Sequence, residues 1–274
     1  MVILRFGTTG RLAGLCRAAT RITHPACPVV LANRKGAFLA EDGTRDYRHL
    51  EAILEAYPSD KILVVDASVD HGSADALVAH ERFKRGCVST VHKQGRLHCC
   101  VGFSSGIATI DAARIRTSAT HMLEYRRQKL LQEELFASLN CPVFIPQLFT
   151  LIGPRTYSKQ GAAWAQILRS RVDHATDTVV NEPHSRKAWA SEAEVFRRLL
   201  RFLITREPSN VTGPLVQGLF TLHEVARGEL LPIPPIDYSL GDTAGWLLGD
   251  YLPDSAMPPP TDLGDMLLQS LITS

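Results

Sequence analysis

The amino-acid sequence predicts an α/β fold, with a doubly wound parallel sheet and a small C-terminal lobe. Short apolar runs alternate with helical patterns over the first 150 residues of the 274-residue chain. Because these runs are continuously apolar and do not alternate with polar residues, they are typical of parallel strands covered on both faces. The pattern breaks at Gly153-Pro154-Arg155, and most of the prolines follow. We therefore assign residues 1–150 to the sheet domain and 151–274 to the lobe.

The elements can be placed in order from apolar runs and helical periodicity. Strands are predicted at Val2–Arg5, Pro28–Ala32, Lys61–Asp66, Leu97–Phe103 and Val143–Leu148. Helices are predicted at Leu12–Thr20, Arg45–Ala56, 73–92 and 118–138, and in the lobe at Gly161–Val172 and Ala190–Leu203. The lobe is expected to pack over the carboxyl edge of the sheet, where open α/β sheets bind ligands, and to be partly interleaved with the last strands.

The composition argues against several classes of partner. Hydrophobic residues make up 45% of the chain and charged residues 21%, with a net charge of +2. This balance gives no reason to expect a nucleic acid or an anionic membrane as partner. No apolar run reaches the roughly 18 residues that span a bilayer, and MVILRFGTTG lacks the features of a secretory signal. We therefore expect a cytoplasmic protein.

The cysteines are predicted to be free thiols. They form no pair of Cys-x-x-Cys motifs and have no paired histidines nearby, as a zinc site would require. Most lie in apolar runs such as LHCCVGF. Buried thiols in strands are therefore the expected result, and no metal site is predicted.

A glycine-rich turn joins the first predicted strand to the first helix. The segment GTTGRLAG begins directly after the strand, and a glycine there permits a positive φ and close approach of a ligand to the backbone. The N-terminus of the following helix attracts phosphate groups. We therefore expect a dinucleotide site, the alternative being a purely structural turn. The residues expected to line it are Gly7, Thr9, Gly10, Arg11 and Leu12.

The end of the second strand bears on the choice of cofactor. An acidic residue here would bind the adenosine ribose and favour NAD, but the sequence has Asn33, Arg34 and Lys35. Arginine and lysine pair well with a 2′-phosphate, so NADP is favoured and NAD stays possible. The alternative is a pair of solvated loop cations. Ala67 and Ser68, which follow the strand Lys61–Asp66, complete the expected cofactor contacts.

Hydroxyl groups and a lysine follow in an order that suits proton transfer. Ser104 and Ser105 follow the end of the strand Leu97–Phe103. Tyr125 and Lys129 lie four residues apart on a predicted helix. Residues four apart share one helix face, where an ammonium favours the phenolate form of a tyrosine. Tyrosine could then exchange a proton with a substrate oxygen. The alternative is an exposed aromatic residue on a charged helix.

In this order, G-x-x-G-x-x-A, S-S-G and Y-x-x-x-K resemble the motifs of the extended short-chain dehydrogenases/reductases. VFIPQLFTLIGPR, with Gly153-Pro154, resembles that group's strand and R-P-F-N-x-Y-G-P loop. The resemblance implies a Rossmann-type domain that binds NADP or NAD, and a substrate-binding lobe. It also implies that Tyr125 is the acid/base and that Lys129 is its partner and holds the nicotinamide ribose. A serine of the SSG turn, Ser105 or Ser104, would anchor the substrate, and Thr150 would contact it.

The chain departs from the group's pattern at several positions. Gly106 falls where the group has its catalytic serine or threonine, which leaves Ser105 as the nearest hydroxyl. Gln147 replaces the arginine of the R-P-F-N loop, and Thr150 replaces its asparagine. Asp111 replaces a glycine, and the Thr-Asp-Glu triplet of the dehydratases is absent, so dehydration is not expected.

The resemblance implies a reductase or epimerase that acts on a keto or hydroxyl carbon of a nucleotide sugar or a smaller metabolite. NADP favours net reduction, because epimerases of this group usually retain NAD. The substitutions leave open an alternative of another class, a catalytically decayed dinucleotide-binding sensor or accessory subunit. The resemblance also implies a homodimer formed through the helix that carries Tyr125 and Lys129.

Overall fold

The computed structural model describes residues 1–7, 10–33, 36–68, 74–110, 112, 120–152, 178–179, 186–207, 212–221 and 236–237. The predictions for Thr9, Arg34, Lys35, Asp111, Gly153-Pro154-Arg155 and Gly161–Val172 lie outside these residues. The chain divides into two compact units. The first comprises Met1–Ser104, Glu124–Pro146 and Phe196–Gly213, and the second comprises Ser105–Leu123, Gln147–Val195 and Pro214–Ser274.

The largest sheet is built from strands β1 to β8 and β12. Their bounds are β1 Val2–Phe6, β2 Val29–Ala32, β3 Phe38–Ala40, β4 Asp46–Tyr47, β5 Ile62–Asp66, β6 Leu97–Gly102, β7 Ser104–Ser105, β8 Val143–Leu148 and β12 Thr212–Pro214. The strand order is β12-β8-β6-β5-β1-β2-β3-β4, with β7 beside β8. Parallel pairing joins β2, β1, β5, β6 and β8 in succession. The predicted parallel sheet is confirmed.

The order of the strands brings the carboxyl ends of β1 and β5 together. The chain leaves β1 for β2 on one side and returns to β5 on the other, so a topological switch point lies between β1 and β5. Every residue of both strands is buried. Continuous burial explains why these strands are apolar throughout, since a parallel strand has no solvent-facing side.

The described residues also form five α-helices. They are α1 Arg11–Thr23, α2 Leu50–Ala56, α3 Ala74–Lys93, α4 Thr120–Ala137 and α5 Glu192–Thr205. Each overlaps a helix predicted from the sequence. The prediction is wrong at the start of α5, where Ala190 and Ser191 belong to a strand. The Ser191 hydroxyl accepts a 3.1 Å hydrogen bond from the Glu194 amide and so caps the helix.

The edge beside β2 also differs from the prediction. Strands β2, β3 and β4 pair antiparallel, and β3 was not predicted. The predicted helix Arg45–Ala56 is wrong in its first part, because Asp46–Tyr47 forms β4 and α2 begins only at Leu50. The link from β2 to β3 is too short for the crossover that a parallel pair needs, so the chain turns back on itself.

The second unit contains two further small sheets. Strands β9 Thr150–Ile152, β11 Arg186–Ser191 and β13 Gly218–Thr221 form one, in the order β13-β11-β9. Strand β11 pairs antiparallel with β13 and parallel with β9. Its Trp189 is fully buried and donates a 3.0 Å hydrogen bond to the carbonyl oxygen of Phe220. Strands β10 Thr178–Val179 and β14 Ile236–Asp237 pair in parallel.

All six cysteines are free thiols, as predicted, but the prediction that they lie in strands holds only for Cys99 and Cys100, since Cys16 and Cys87 lie in helices and Cys27 and Cys141 in loops. Cys16, Cys87, Cys99 and Cys100 are buried, and Cys27 and Cys141 are half-buried. The described residues hold no cluster of metal-ligating side chains. No helix within the described ranges is long and apolar enough to cross a membrane.

Candidate functional site

The turn after β1 requires a glycine at position 7. Gly7 has φ +80°, and a Cβ placed on it would lie 2.7 Å from the amide nitrogen of Ser68 and 2.8 Å from the carbonyl of Ala67. Such distances are incompatible with any side chain. The neighbouring amide of Ala67 donates a 3.0 Å hydrogen bond to the carbonyl oxygen of Phe6. Gly7 therefore lets the ends of β1 and β5 lie in direct contact at the switch point.

Gly10 leads the chain into α1. It has φ +98°, and a Cβ there would meet nothing within 4 Å. Among the described residues no side chain caps α1, and its first turn has no acidic residue. The partial positive charge at this helix N-terminus is therefore not compensated by a carboxylate of that turn. Arg11 and Leu12, which open the helix, are half-buried.

Asn33 has a structural contact that the sequence did not reveal. Its side-chain oxygen accepts a 3.0 Å hydrogen bond from the backbone amide of Ala37. The backbone amide of Asn33 donates in turn to the Ala37 carbonyl at 2.9 Å. Gly36 completes the turn with φ +81°. Asn33 therefore closes the turn between β2 and β3.

A buried carboxylate lies at the end of β5. The Asp66 Oδ1 atom accepts hydrogen bonds from the amide and the hydroxyl of Ser68, at 3.1 and 2.5 Å. The Lys84 ammonium of α3 lies 3.0 Å from the Asp66 Oδ2 atom, 3.1 Å from the Ser68 hydroxyl and 3.1 Å from Glu81. Ser68, predicted as a cofactor contact, thus belongs to a buried ionic cluster.

The charges of this cluster stabilise one another. Burial raises the pKa of Asp66, but the ammonium groups of Lys84 and Lys129 and the hydrogen bond from Ser68 outweigh it, so the pKa lies below its ordinary value. For Lys84, burial lowers the pKa, but the carboxylates of Asp66 and Glu81 raise it by more, so the pKa lies above its ordinary value. Asp66 and Lys84 are therefore both charged at neutral pH.

Lys129 is buried within the first unit. The residue is 7% exposed. Its ammonium donates hydrogen bonds to the Phe103 carbonyl at 2.8 Å and to the Gln132 side-chain oxygen at 3.3 Å. The Nζ atom lies 5.6 Å from the ring centroid of the half-buried Tyr125. The helix face that carries both residues is therefore not a solvated charged face.

Gln132 connects Lys129 to the ionic cluster. Its side-chain nitrogen donates a 2.7 Å hydrogen bond to the Asp66 Oδ2 atom, while its oxygen accepts from Lys129. Sequence reasoning missed Gln132, Asp66 and Lys84. A charged residue closing the apolar run KILVVD was the one signal for Asp66, and the position of Gln132 one turn after Lys129 was the signal for Gln132.

The two serines of the SSG turn have different environments. Ser104 is buried in the first unit, where its hydroxyl donates to the carboxylate of Glu133. Ser105 is half-buried in the second unit, and its hydroxyl oxygen accepts a 3.4 Å hydrogen bond from the Ile107 amide. It thereby caps the short 3-10 helix Gly106–Thr109. Capping uses the oxygen of Ser105, so its proton can still be donated.

Gly106 is enclosed by an aromatic ring of the second unit. A Cβ at this position would lie 2.2 Å from the nearest carbon of Phe149. The ring therefore fills the volume that a serine or threonine side chain would need. Thr150, the predicted substrate contact, lies in β9 opposite Trp189 of β11.

No family model matches the chain, and no curated protein sequence matches it. Solved structures do. A partial consensus L-threonine 3-dehydrogenase superposes with a TM-score of 0.71, at 13% identity, over 100% of this chain and 99% of the other. The UDP-glucose 4-epimerase of Thermotoga maritima, solved with UDP-glucose, gives 0.65 at 11% identity, over 98% and 97%. A GDP-L-fucose synthetase of Naegleria fowleri bound to NADP gives 0.63 at 12%, over 98% and 91%.

The chain therefore has the fold that these epimerase and dehydrogenase structures share. The predicted Rossmann-type fold class is thus confirmed. At these identities the likeness establishes the fold and nothing finer. Within this fold, Gly7 lies against Ala67 and Ser68. Hydrogen bonds through Asp66 and Gln132 then connect Ser68 to Lys129.

Proposed function

We propose that the chain is an NADP-linked reductase or epimerase, and most simply a reductase of a keto group on a nucleotide sugar or small metabolite. The observation that carries this proposal is the burial of Lys129 beside Tyr125, 5.6 Å from the ring centroid. Burying an ammonium is costly unless it is paired or hydrogen-bonded, and a surface helix would gain nothing from it. The arrangement is suited to a phenol that exchanges a proton.

The turn after β1 supports the dinucleotide part of the proposal. A side chain at Gly10 would meet nothing within 4 Å, and the first turn of α1 carries no acidic residue, so the positive end of this helix is suited to a phosphate group. We assign the pyrophosphate to Gly7, Thr9, Gly10, Arg11 and Leu12. Ala67 and Ser68, which contact Gly7, would line the adjoining part of the same site. A bound NADPH would supply the hydride that reduces the substrate carbon and would leave as NADP+.

The residues of the chain would then manage the proton. Tyr125 donates its phenolic proton to the substrate oxygen as negative charge develops there, and the Lys129 ammonium stabilises the phenolate that remains. Lys129 would also donate a hydrogen bond to the nicotinamide ribose. Within the second unit, we assign Ser105 as the substrate anchor and Thr150 as a further substrate contact.

Replacing Tyr125 by phenylalanine tests the reaction. We expect Tyr125→Phe to lower kcat for NADPH oxidation, measured with a panel of keto sugars and small ketones, by about 100-fold or more, since general acid catalysis contributes on that order. NADPH binding, measured by fluorescence, should change little. Tyr57→Phe is the matched control, because its phenol hydrogen-bonds to Tyr47 in the same unit. Equal turnover by both variants would refute the role of Tyr125.

Replacing Arg34 tests the choice of cofactor. The neighbours leave it open, because one is titled as bound to NADP and another as in complex with NAD+. We expect Arg34→Glu to weaken NADPH binding about tenfold or more and to leave NADH binding unchanged, because only NADPH carries the 2′-phosphate. Arg48→Glu, at an arginine that the structure shows to be exposed, is the control. Equal losses for both nucleotides would contradict the 2′-phosphate assignment.

A binding protein without catalysis is the second candidate. It is favoured by Phe149, whose ring fills the space beside Gly106, and by Ser104, whose hydroxyl already binds Glu133. This candidate predicts NADPH binding without turnover of any carbonyl substrate, and no effect of Tyr125→Phe. The measurements above therefore separate the two functions.

A further inference from the structure

A chain of three buried side chains runs from β5 to the centre of α4. Asp66, Gln132 and Lys129 are each less than a tenth exposed. The Gln132 amide donates to Asp66 at 2.7 Å and accepts from Lys129 at 3.3 Å. We call these three residues the Asp66 relay.

The charge of Asp66 sets the direction of the relay. An ionised carboxylate only accepts hydrogen bonds, so the NH2 group of Gln132 must face Asp66 and its oxygen must face Lys129. Lys84, which also pairs with Glu81, binds the same Oδ2 atom of Asp66 as Gln132 does, and Ser68 binds the Oδ1 atom, so the carboxylate is held in place. The amide of Gln132 therefore cannot rotate by 180° without breaking both of its hydrogen bonds.

The relay leaves Lys129 with one hydrogen to offer. An ammonium has three donors, and the Phe103 carbonyl and the Gln132 oxygen take two of them. The tetrahedral geometry of the nitrogen then fixes the direction of the third. No further acceptor for it is found within the described part of the chain.

We propose that Asp66 and Gln132 are positioning residues, which orient the Lys129 ammonium so that its third hydrogen is available to a ligand bound beside Tyr125. The identity of that ligand, the nicotinamide ribose, rests on the proposed function. The hold on the ammonium does not, because it depends only on contacts within the chain.

The hold can be measured without any ligand. In 15N-lysine-labelled protein, we expect the Lys129 ammonium hydrogens to exchange with water slowly, and Gln132→Leu to accelerate this exchange about tenfold, because a hydrogen bond to a charged donor is lost. Asp66→Asn should have a smaller effect in the same direction, with the fold checked by circular dichroism. Gln128→Leu is the control, since Gln128 is similarly buried on α4 and its side chain, among the described residues, bonds to Glu124 and not to Lys129. Lys93, which is exposed, gives the fast-exchange reference.

The functional consequence has its own readout. We expect Gln132→Leu to weaken NADPH binding and to lower kcat per folded molecule, each about tenfold, while KM for the carbonyl substrate stays unchanged. A merely structural role would lower the melting temperature without moving NADPH affinity, kcat per folded molecule or ammonium exchange. The Gln128→Leu variant should match the wild type.

The outcomes separate the two proposals. If Gln132→Leu leaves ammonium exchange unchanged, the positioning inference is overturned whatever the chain binds. If exchange accelerates but NADPH affinity and kcat match the wild type, it is overturned as well. If the wild-type chain binds no nicotinamide nucleotide, the proposed function fails, and ammonium exchange alone decides whether the relay holds Lys129.

Discussion

Gly7 is the residue on which the contact between the ends of β1 and β5 depends. Its positive φ and the 2.7 Å approach to Ser68 are two separate constraints, and only the first could be expected from the sequence. A glycine after a strand indicates a turn, but the atoms it touches lie about sixty residues further along the chain, beyond the reach of any local pattern. The same limit applies to the Asp66 relay, in which the hydrogen-bonded residues Asp66 and Gln132 are 66 positions apart.

The two constraints on Gly7 can be separated by mutation. We expect Gly7→Ala to lower the free energy of unfolding by about 3 kcal/mol or more, from roughly 1–2 kcal/mol for the left-handed backbone and the rest from overlap with β5. Gly95→Ala is the control, because Gly95 has φ +63° and open space around it, so it carries the backbone cost alone. Urea unfolding measures both. Equal losses for the two variants would show that β5 yields easily.

At the scale of elements, the central strands were predictable and the edge was not. β1, β2, β5, β6 and β8 match their predicted bounds to within one residue, because buried parallel strands are continuously apolar. β3 and β4 have three and two residues and a solvent-facing side, so their apolar signal is too short to distinguish from a loop or a helical turn. The turn that Asn33 closes joins β3 to β2.

The edge can be loosened without unfolding the sheet. We expect Asn33→Ala to raise amide hydrogen exchange in Phe38–Ala40 about tenfold, because one hydrogen bond that closes the turn is lost. Exchange in β1 and β5 should not change. Asn33→Asp keeps an oxygen that can accept from Ala37 and should behave like the wild type. An equal increase in the central strands would mean that the edge and the sheet open as one.

At the scale of the whole molecule, the fold class followed from the sequence, while the site followed only in part. The spacing of Tyr125 and Lys129 identified the helix face, and the structure buries that lysine. The substitution at Gly106 was visible in the sequence, but its reason was not, because Phe149, which lies between β8 and β9, approaches it from more than forty residues further along the chain. Side chains that meet from distant segments leave no joint pattern in the sequence.

All six thiols lie in the first of the two compact units. Burial raises the pKa of Cys16, Cys87 and Cys99 to about 12, so at neutral pH these groups stay protonated and unreactive while the unit is folded. An alkylating reagent should therefore label them at the rate at which this unit opens, and mass spectrometry of the peptides would time that event. None of the thiols lies in the second unit, which contains the fully buried Trp189. Alkylation of the thiols therefore follows the opening of the first unit separately from the second, with no engineered probe.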